Sequence, residues 1–187
     1  ERLNAMTNTM VVEAHEALSL AAADSRLRVL VLTGEGRGFC PGADLQHFTD
    51  PGRGRDATLE ARHFRVCTLL HEMPAVTIAA VNGASVGAGF SLAMACDIRI
   101  ASEAARFSAI FVKRAIVADT GCTWFLPRLV GVENALKLMY TGRIIDAAEA
   151  REIRLVSRVV APEMLSETAL QAAQSIRENS EYGVWMT

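Results

Sequence analysis

Apolar residues recur at three- and four-residue intervals near the start of the chain. Met6, Met10, Val11, Ala14, Leu18 and Ala21 would share one face of a helix over residues 7–23. Asp24-Ser25 ends that pattern. The period then gives way to an unbroken apolar run, Val29-Leu30-Val31-Leu32-Thr33, as expected of a strand covered on both faces. The same alternation returns downstream. Residues 57–71 predict a helix stopped near Pro74, and 75–81 a second buried strand. Asn82-Gly83 predicts a turn, and the small residues from Gly87 to Ala95 predict a buried helix. Residues 98–101 predict a third strand. Residues 120–129 and 133–140 predict helices, with Gly131 and Gly142 as stops. Asp146 suits the N-cap of a helix over 147–152. Residues 156–160 predict a last strand, and Pro162 opens a helix to about Glu178. Strands alternating with helices predict an α/β protein with buried sheets. Residues 49–56, rich in Gly, Pro and charge, predict a flexible loop.

Residues 74–96 carry no charge and no histidine, long enough to span a bilayer. Gly83, Gly87 and Gly89, with Asn82, Ser85 and Ser91, divide the stretch into a β-branched half and a small-residue half. A buried strand, a turn and a buried helix account for it better than a membrane span. The 187 residues suffice for one domain over 1–187 with a full core, and 51% hydrophobic against 21% charged residues exclude a disordered chain. The balance of 19 Lys plus Arg against 21 Asp plus Glu leaves a net charge of -2, which gives no electrostatic footprint for nucleic acid or an anionic membrane. Cys40, Cys67, Cys96 and Cys122 are widely spaced, with no metal-ligand pattern; they read as reduced, buried thiols of a cytoplasmic protein. No metal is expected. The chain starts at Glu1 and ends in apolar text suited to continuing a helix, so both ends are expected to be trimmed.

Two glycine-rich loops each follow a buried strand, where sites in α/β sheets gather. The first runs Gly34-Glu35-Gly36-Arg37-Gly38-Phe39-Cys40-Pro41-Gly42-Ala43-Asp44-Leu45. Its glycines fit neither dinucleotide nor phosphate-loop spacing. In the second, Asn82 to Ser91, Gly87 would precede a helix whose first N–H groups lack internal partners and would favour an anion. Taken alone, close helix–sheet packing is the better explanation of the small residues. No histidine among His15, His47, His63 and His71 has a Ser or Cys partner in a nucleophile-elbow context.

Taken together, GFCPGADL and VNGASVGAGFSLAMACDIRIA resemble the crotonase, or enoyl-CoA hydratase/isomerase, superfamily. RLNAM at the start, DTGCTWFLPRLVG, residues 138–143 and LVSRVV extend the resemblance in order along the chain. It implies a crotonase-like spiral of ββα repeats with surrounding helices, the C-terminal helical part being missing. It also implies a homotrimer or dimer of trimers. The implied substrate is an acyl-CoA thioester, with coenzyme A as part of the substrate and no other cofactor. Two backbone N–H groups would form an oxyanion hole for the enolate; by position these belong to Ala43 and Ala88. Arg2, Leu3, Pro41, Asp44, Leu45 and Gly87 would contribute to substrate binding, Asp44 mainly by supporting its loop.

The family's hydratases use two glutamates, and at those positions this chain has Ser91 and Phe111. Neither is a general acid or base at neutral pH. Asp119 stands where some relatives place an acid beside the acyl chain, with Ala118 in place of their proline. One carboxylate suffices for a 1,3-proton shift, so the resemblance points to a double-bond isomerase with Asp119 as acid/base. Asp before Thr-Gly also suits a helix N-cap, and one residue can do both. The alternatives are a hydratase lacking both glutamates and a non-catalytic acyl-CoA binder. Cys40 is expected to pack, and Trp124 and Phe125 to pack or line an acyl pocket.

Overall fold

The computed structural model describes residues 3–44 and 57–186. The expected flexible loop at 49–56, and with it Arg2, Leu45 and His47, lies outside the described residues. The chain repeats one plan three times: a strand in one sheet, a short strand in a second sheet, then a helix. The first unit is β1 (Val29–Thr33), β2 (Gly38–Cys40) and α2 (Ala57–His71), preceded by α1 (Asn8–Ala23). The second is β3 (Val76–Val81), β4 (Ala84–Val86) and α3 (Ala88–Ala95). The third is β5 (Ile98–Ser102), β6 (Arg106–Ser108), a 3-10 turn over Ile110–Arg114 and α4 (Cys122–Val130). The remainder is α5 (Val132–Thr141), β7 (Ile145–Asp146), α6 (Ala147–Glu152), β8 (Arg158–Val160), a 3-10 turn over Pro162–Met164, α7 (Leu165–Arg177) and α8 (Glu181–Trp185). This is the expected spiral of ββα repeats.

The longer strands form a parallel sheet in the order β1-β3-β5-β8, with Val31 opposite Ile78 and Ile78 opposite Ile98. The shorter strands form the second sheet, β2-β4-β6-β7, in which only β7 runs antiparallel. The unbroken apolar text of β3 has a clear cause. Ile78 and Ala80 face Ile100 and the α7 residues Leu165 and Ala169. Ala79 and Val81 face the main core with Phe90, Met94 and Phe107. Burying side chains such as Ile78 and Val81 stabilises by about 1.5–3 kcal/mol each, so β3 anchors both layers.

Polar groups tie the repeats together. Asp97 accepts from the Thr77 amide at 2.7 Å and its hydroxyl at 2.8 Å. The buried Arg99 guanidinium donates to the Leu155 carbonyl at 2.8 Å and to that of Cys96. The first glycine loop is held by two side-chain amides. Asn82 Nδ2 donates to the carbonyls of Gly34, Gly36 and Gly38 at 3.0, 2.8 and 3.2 Å. Asn4 Nδ2 donates to Gly38 at 2.8 Å.

The structure departs from the sequence expectations mainly in short elements. After the Asn82-Gly83 turn the chain forms β4, which was not expected, before the expected helix at Ala88–Ala95. The last strand contracts to β8, with Val156 buried ahead of it. The helix expected from Thr120 starts at Cys122, with Gly121 as its N-cap, so the N-cap position is not Asp119. Asp146 does cap α6, accepting from Glu149 N–H at 2.8 Å. Among the described residues no helix is long and apolar enough to cross a membrane.

Candidate active site

The first glycine loop leaves β2 and runs alongside the segment before α1. Met6 N–H donates to Gly42 O at 2.8 Å, and Asp44 N–H donates to Met6 O at 3.2 Å, making a parallel bridge between Met6 and Ala43. In such a bridge the flanking residues make the bonds, so Ala43 turns its own N–H to the opposite edge. The second loop supplies α3. Its first residue, Ala88, has no acceptor within the helix for its N–H. The Gly87 amide is already used, donating to Ser108 O at 3.0 Å.

Two glycines bring the loops together. Gly42 adopts a φ of +98°, and a Cβ there would lie 2.9 Å from Val86 O and 3.5 Å from Ala88 N. Gly89 presses harder still: its Cβ would sit 2.0 Å from Cys40 O. Only glycine permits either approach. The end of β2 therefore lies directly against the first turn of α3.

A cavity of about 130 Å³ opens where they meet. Pro41 and Ala43 line it from the first repeat, and Val86, Gly87 and Ala88 from the second. The third repeat closes it with Ile110, Phe111, Arg114, Ile116 and Asp119. Six residues singled out from sequence thus meet in one place: Pro41, Ala43, Gly87, Ala88, Phe111 and Asp119. The segment carrying Asp119 is bracketed by non-glycine residues in left-handed backbone, Ala115 at φ 54° and Thr120 at φ 49°. Such conformations cost of order 1–3 kcal/mol each and concentrate at functional sites. Thr120 Oγ1 donates to Asp119 Oδ1 at 3.2 Å.

The other candidates lie elsewhere. Ser91 is fully buried in α3 and donates its hydroxyl to the Asp119 backbone carbonyl at 3.3 Å, supporting that residue from behind. Leu3 packs beside Gly38. Asp44 holds the bridge to Met6 through its backbone. Cys40 is buried, and burial pushes its thiol up to about 11, which keeps it protonated and out of nucleophilic chemistry. Burial, with the Asp119 charge next, pushes Cys122 up to about 12. All four cysteines are free and buried, and among the described residues no His, Cys, Asp and Glu cluster could hold a metal.

Sequence reasoning missed Arg114, which lines the cavity, and the flanking Ile110 and Ile116. Their signal was position: Ile110 adjoins Phe111, and Arg114 and Ile116 lie between Phe111 and Asp119, both already singled out. A second cavity of about 300 Å³ between α2 and α4 was also missed, although Trp124 and Phe125 on its wall were expected to line a pocket. The first cavity thus gathers Ala43 and Ala88, the carboxylate-bearing Asp119, the basic Arg114 and the apolar Val86, Ile110, Phe111 and Ile116.

This architecture of ββα repeats around two facing glycine loops recurs in known proteins. Residues 1–186 match the family model for enoyl-CoA hydratase/isomerase, and the chain belongs to that family. It is 36% identical to the 1,2-epoxyphenylacetyl-CoA isomerase of Escherichia coli over 188 residues, covering 98% of this chain and 72% of that protein. The crystal structure of an enoyl-CoA hydratase from Bacillus anthracis superposes with a TM-score of 0.92 at 35% identity, covering 98% of this chain and 72% of the other. A monofunctional enoyl-CoA isomerase from Mycobacterium smegmatis superposes with a TM-score of 0.83 at 37% identity, covering 99% and 79%.

Proposed function

We propose that this protein is an acyl-CoA double-bond isomerase in which Asp119 moves the proton. The observation that carries the reading is a coincidence of position. Asp119 shares a cavity of about 130 Å³ with Ala43 and Ala88, and the motif resemblance assigns Ser91 and Phe111 to the places of the two hydratase glutamates. The thioester oxygen of a 3-enoyl-CoA accepts hydrogen bonds from the Ala43 and Ala88 amides. Asp119 removes a proton from C2, and the electron pair spreads through the C3–C4 double bond and onto that oxygen. The dienolate collapses as the same carboxyl returns the proton to C4, leaving the double bond at C2–C3. Protons and electrons balance, and the only carrier is the coenzyme A of the substrate.

A preorganised amide donor of this kind contributes about 3–4 kcal/mol to lowering the barrier, and a positioned acid/base about 10²–10⁴-fold in rate. The apolar walls strengthen both effects by excluding water. Similarity to proteins named as isomerases in Escherichia coli and Mycobacterium smegmatis supports the reading. The similar Bacillus anthracis protein is named a hydratase, which makes hydration the competing reaction.

The test is turnover of 3-enoyl-CoA and 2-enoyl-CoA thioesters in H₂O and D₂O, with Asp119→Asn in parallel. Double-bond migration with deuterium incorporation, lost in the variant, is the expected result. Hydration that survives Asp119→Asn overturns the proposal. Tight acyl-CoA binding without turnover of any thioester identifies a binding protein instead.

A further inference from the structure

The cavity of about 130 Å³ that holds Asp119 is small, and the next space along the chain is unlike it. The recess of about 300 Å³ between α2 and α4 is lined in part by Thr120 and Gly121, the two residues after Asp119. Its wall is made of rings: Phe64 and His71 from α2, Trp124 and Phe125 from α4. These rings are set edge to face. The His71 centroid lies 4.9 Å from that of Trp124 at 64° and 5.3 Å from that of Phe125 at 72°. Trp124 and Phe125 meet at 5.0 Å and 89°. The Arg128 guanidinium sits 4.0 Å over the Trp124 ring and fixes the indole in place. Trp124 nevertheless keeps 44% of its surface exposed, in a recess where large apolar area is otherwise costly.

We propose, building on the isomerase reading, that the acyl group carries an aromatic ring seated in this recess, with Trp124 and Phe125 as specificity-determining residues. Size permits it: a dry cavity of about 150 Å³ is enough to bind benzene. Geometry favours it over an alkyl chain. Both bury apolar area, but only a ring adds the edge-to-face attraction that the wall residues already make among themselves. A flat ring also has less internal freedom to lose on seating than a flexible chain.

The test is binding of saturated thioesters, which have no double bond to migrate and so report on the recess independently of turnover. Calorimetry on the full chain should show phenylacetyl-CoA binding about three- to tenfold more tightly than hexanoyl-CoA. Trp124→Leu, which keeps apolar bulk and removes the ring, should abolish that advantage and leave hexanoyl-CoA within about twofold. Phe125→Leu should reduce it in the same direction. Hexanoyl-CoA binding as tightly as phenylacetyl-CoA to the unmutated protein overturns the proposal, as does a Trp124→Leu variant that keeps the preference. Loss of isomerase activity with the ring preference intact would instead overturn the reaction and leave the recess assignment standing.

Discussion

Gly89 lies so close beneath Cys40 that a methyl group on its α-carbon would stand 2.0 Å from the Cys40 carbonyl oxygen. That approach sets the spacing between the end of β2 and the first turn of α3. In most helices replacing glycine by alanine stabilises by about 0.5–1 kcal/mol. Here the sign reverses. Gly89→Ala should lower stability by about 3 kcal/mol or more, because backbone must move on one side or the other. Urea denaturation measures it; a midpoint at or above that of the unmutated protein would refute the contact.

The Ala88 amide can be removed with little else. Ala88 is the first residue of α3, a position where proline is well tolerated because the N–H has no helical partner. Ala88→Pro should fold with nearly unchanged secondary structure by circular dichroism and lose about 10²–10³ in kcat. An unimpaired kcat in a folded variant would remove this amide from the mechanism.

Asn82 offers a test of the scaffold rather than the chemistry. Its amide nitrogen serves three carbonyls of the first glycine loop, and its Oδ1 accepts from Gly34 N–H at 3.3 Å. Asn82→Asp keeps the shape but turns an acceptor toward those three oxygens. It should destabilise more than Asn82→Ala, which removes this donor from Gly34 O and Gly36 O, while Gly38 O keeps its bond from Asn4, at a cost of about 1–3 kcal/mol. Both should lower activity, since β2 delivers Pro41 and Ala43 to the cavity. Thermal unfolding of the two variants gives the order.

The buried thiols make a pH prediction. Burial raises Cys40 from 9.0 to about 11, and Cys96 and Cys122 from 9.0 to about 12. Above pH 9 the unfolded chain releases these protons while the folded protein retains them. The unfolded state then binds fewer protons, so stability falls as pH rises, by up to about 1.4 kcal/mol per pH unit for each thiol. Their contribution is complete below pH 9 and is lost as pH rises to about 11–12. Denaturation midpoints from pH 8 to 11 should drop, and the drop should lessen in Cys40→Ala relative to its own value at pH 8.

The long strands were legible because packing on both faces leaves an unbroken apolar run. β3 is buried on both. β1, at the edge of its sheet, is only half-buried rather than covered as its run suggested, with Leu30 and Leu32 against one cluster and Val29 and Val31 against the other. The strands of the second sheet were not. Gly38–Cys40, Ala84–Val86 and Arg106–Ser108 have three residues each, too few for an alternating pattern to emerge. The glycine loops stood out because their chemistry is local. Arg114 did not, since a basic residue in an exposed turn looks the same whether or not a cavity lies beside it. The ring-lined recess was legible only by halves. Phe64 and Trp124 sit on different helices, and nothing local says that α2 and α4 face each other. Asp119 suited two roles on sequence alone; finding Gly121 at the N-cap removes one of them.

The cavity's three walls come from three successive repeats, and this division separates its parts in evolution. In the proposed reaction the first two repeats provide main-chain groups, the amides of Ala43 and Ala88. The third provides Phe111, Arg114 and Asp119 on one stretch of chain after β6. On that reading a lineage can rewrite the third stretch residue by residue while the amides of the first two stay in place. Intermediates along such a path would still hold their ligand while one activity fades and another arises.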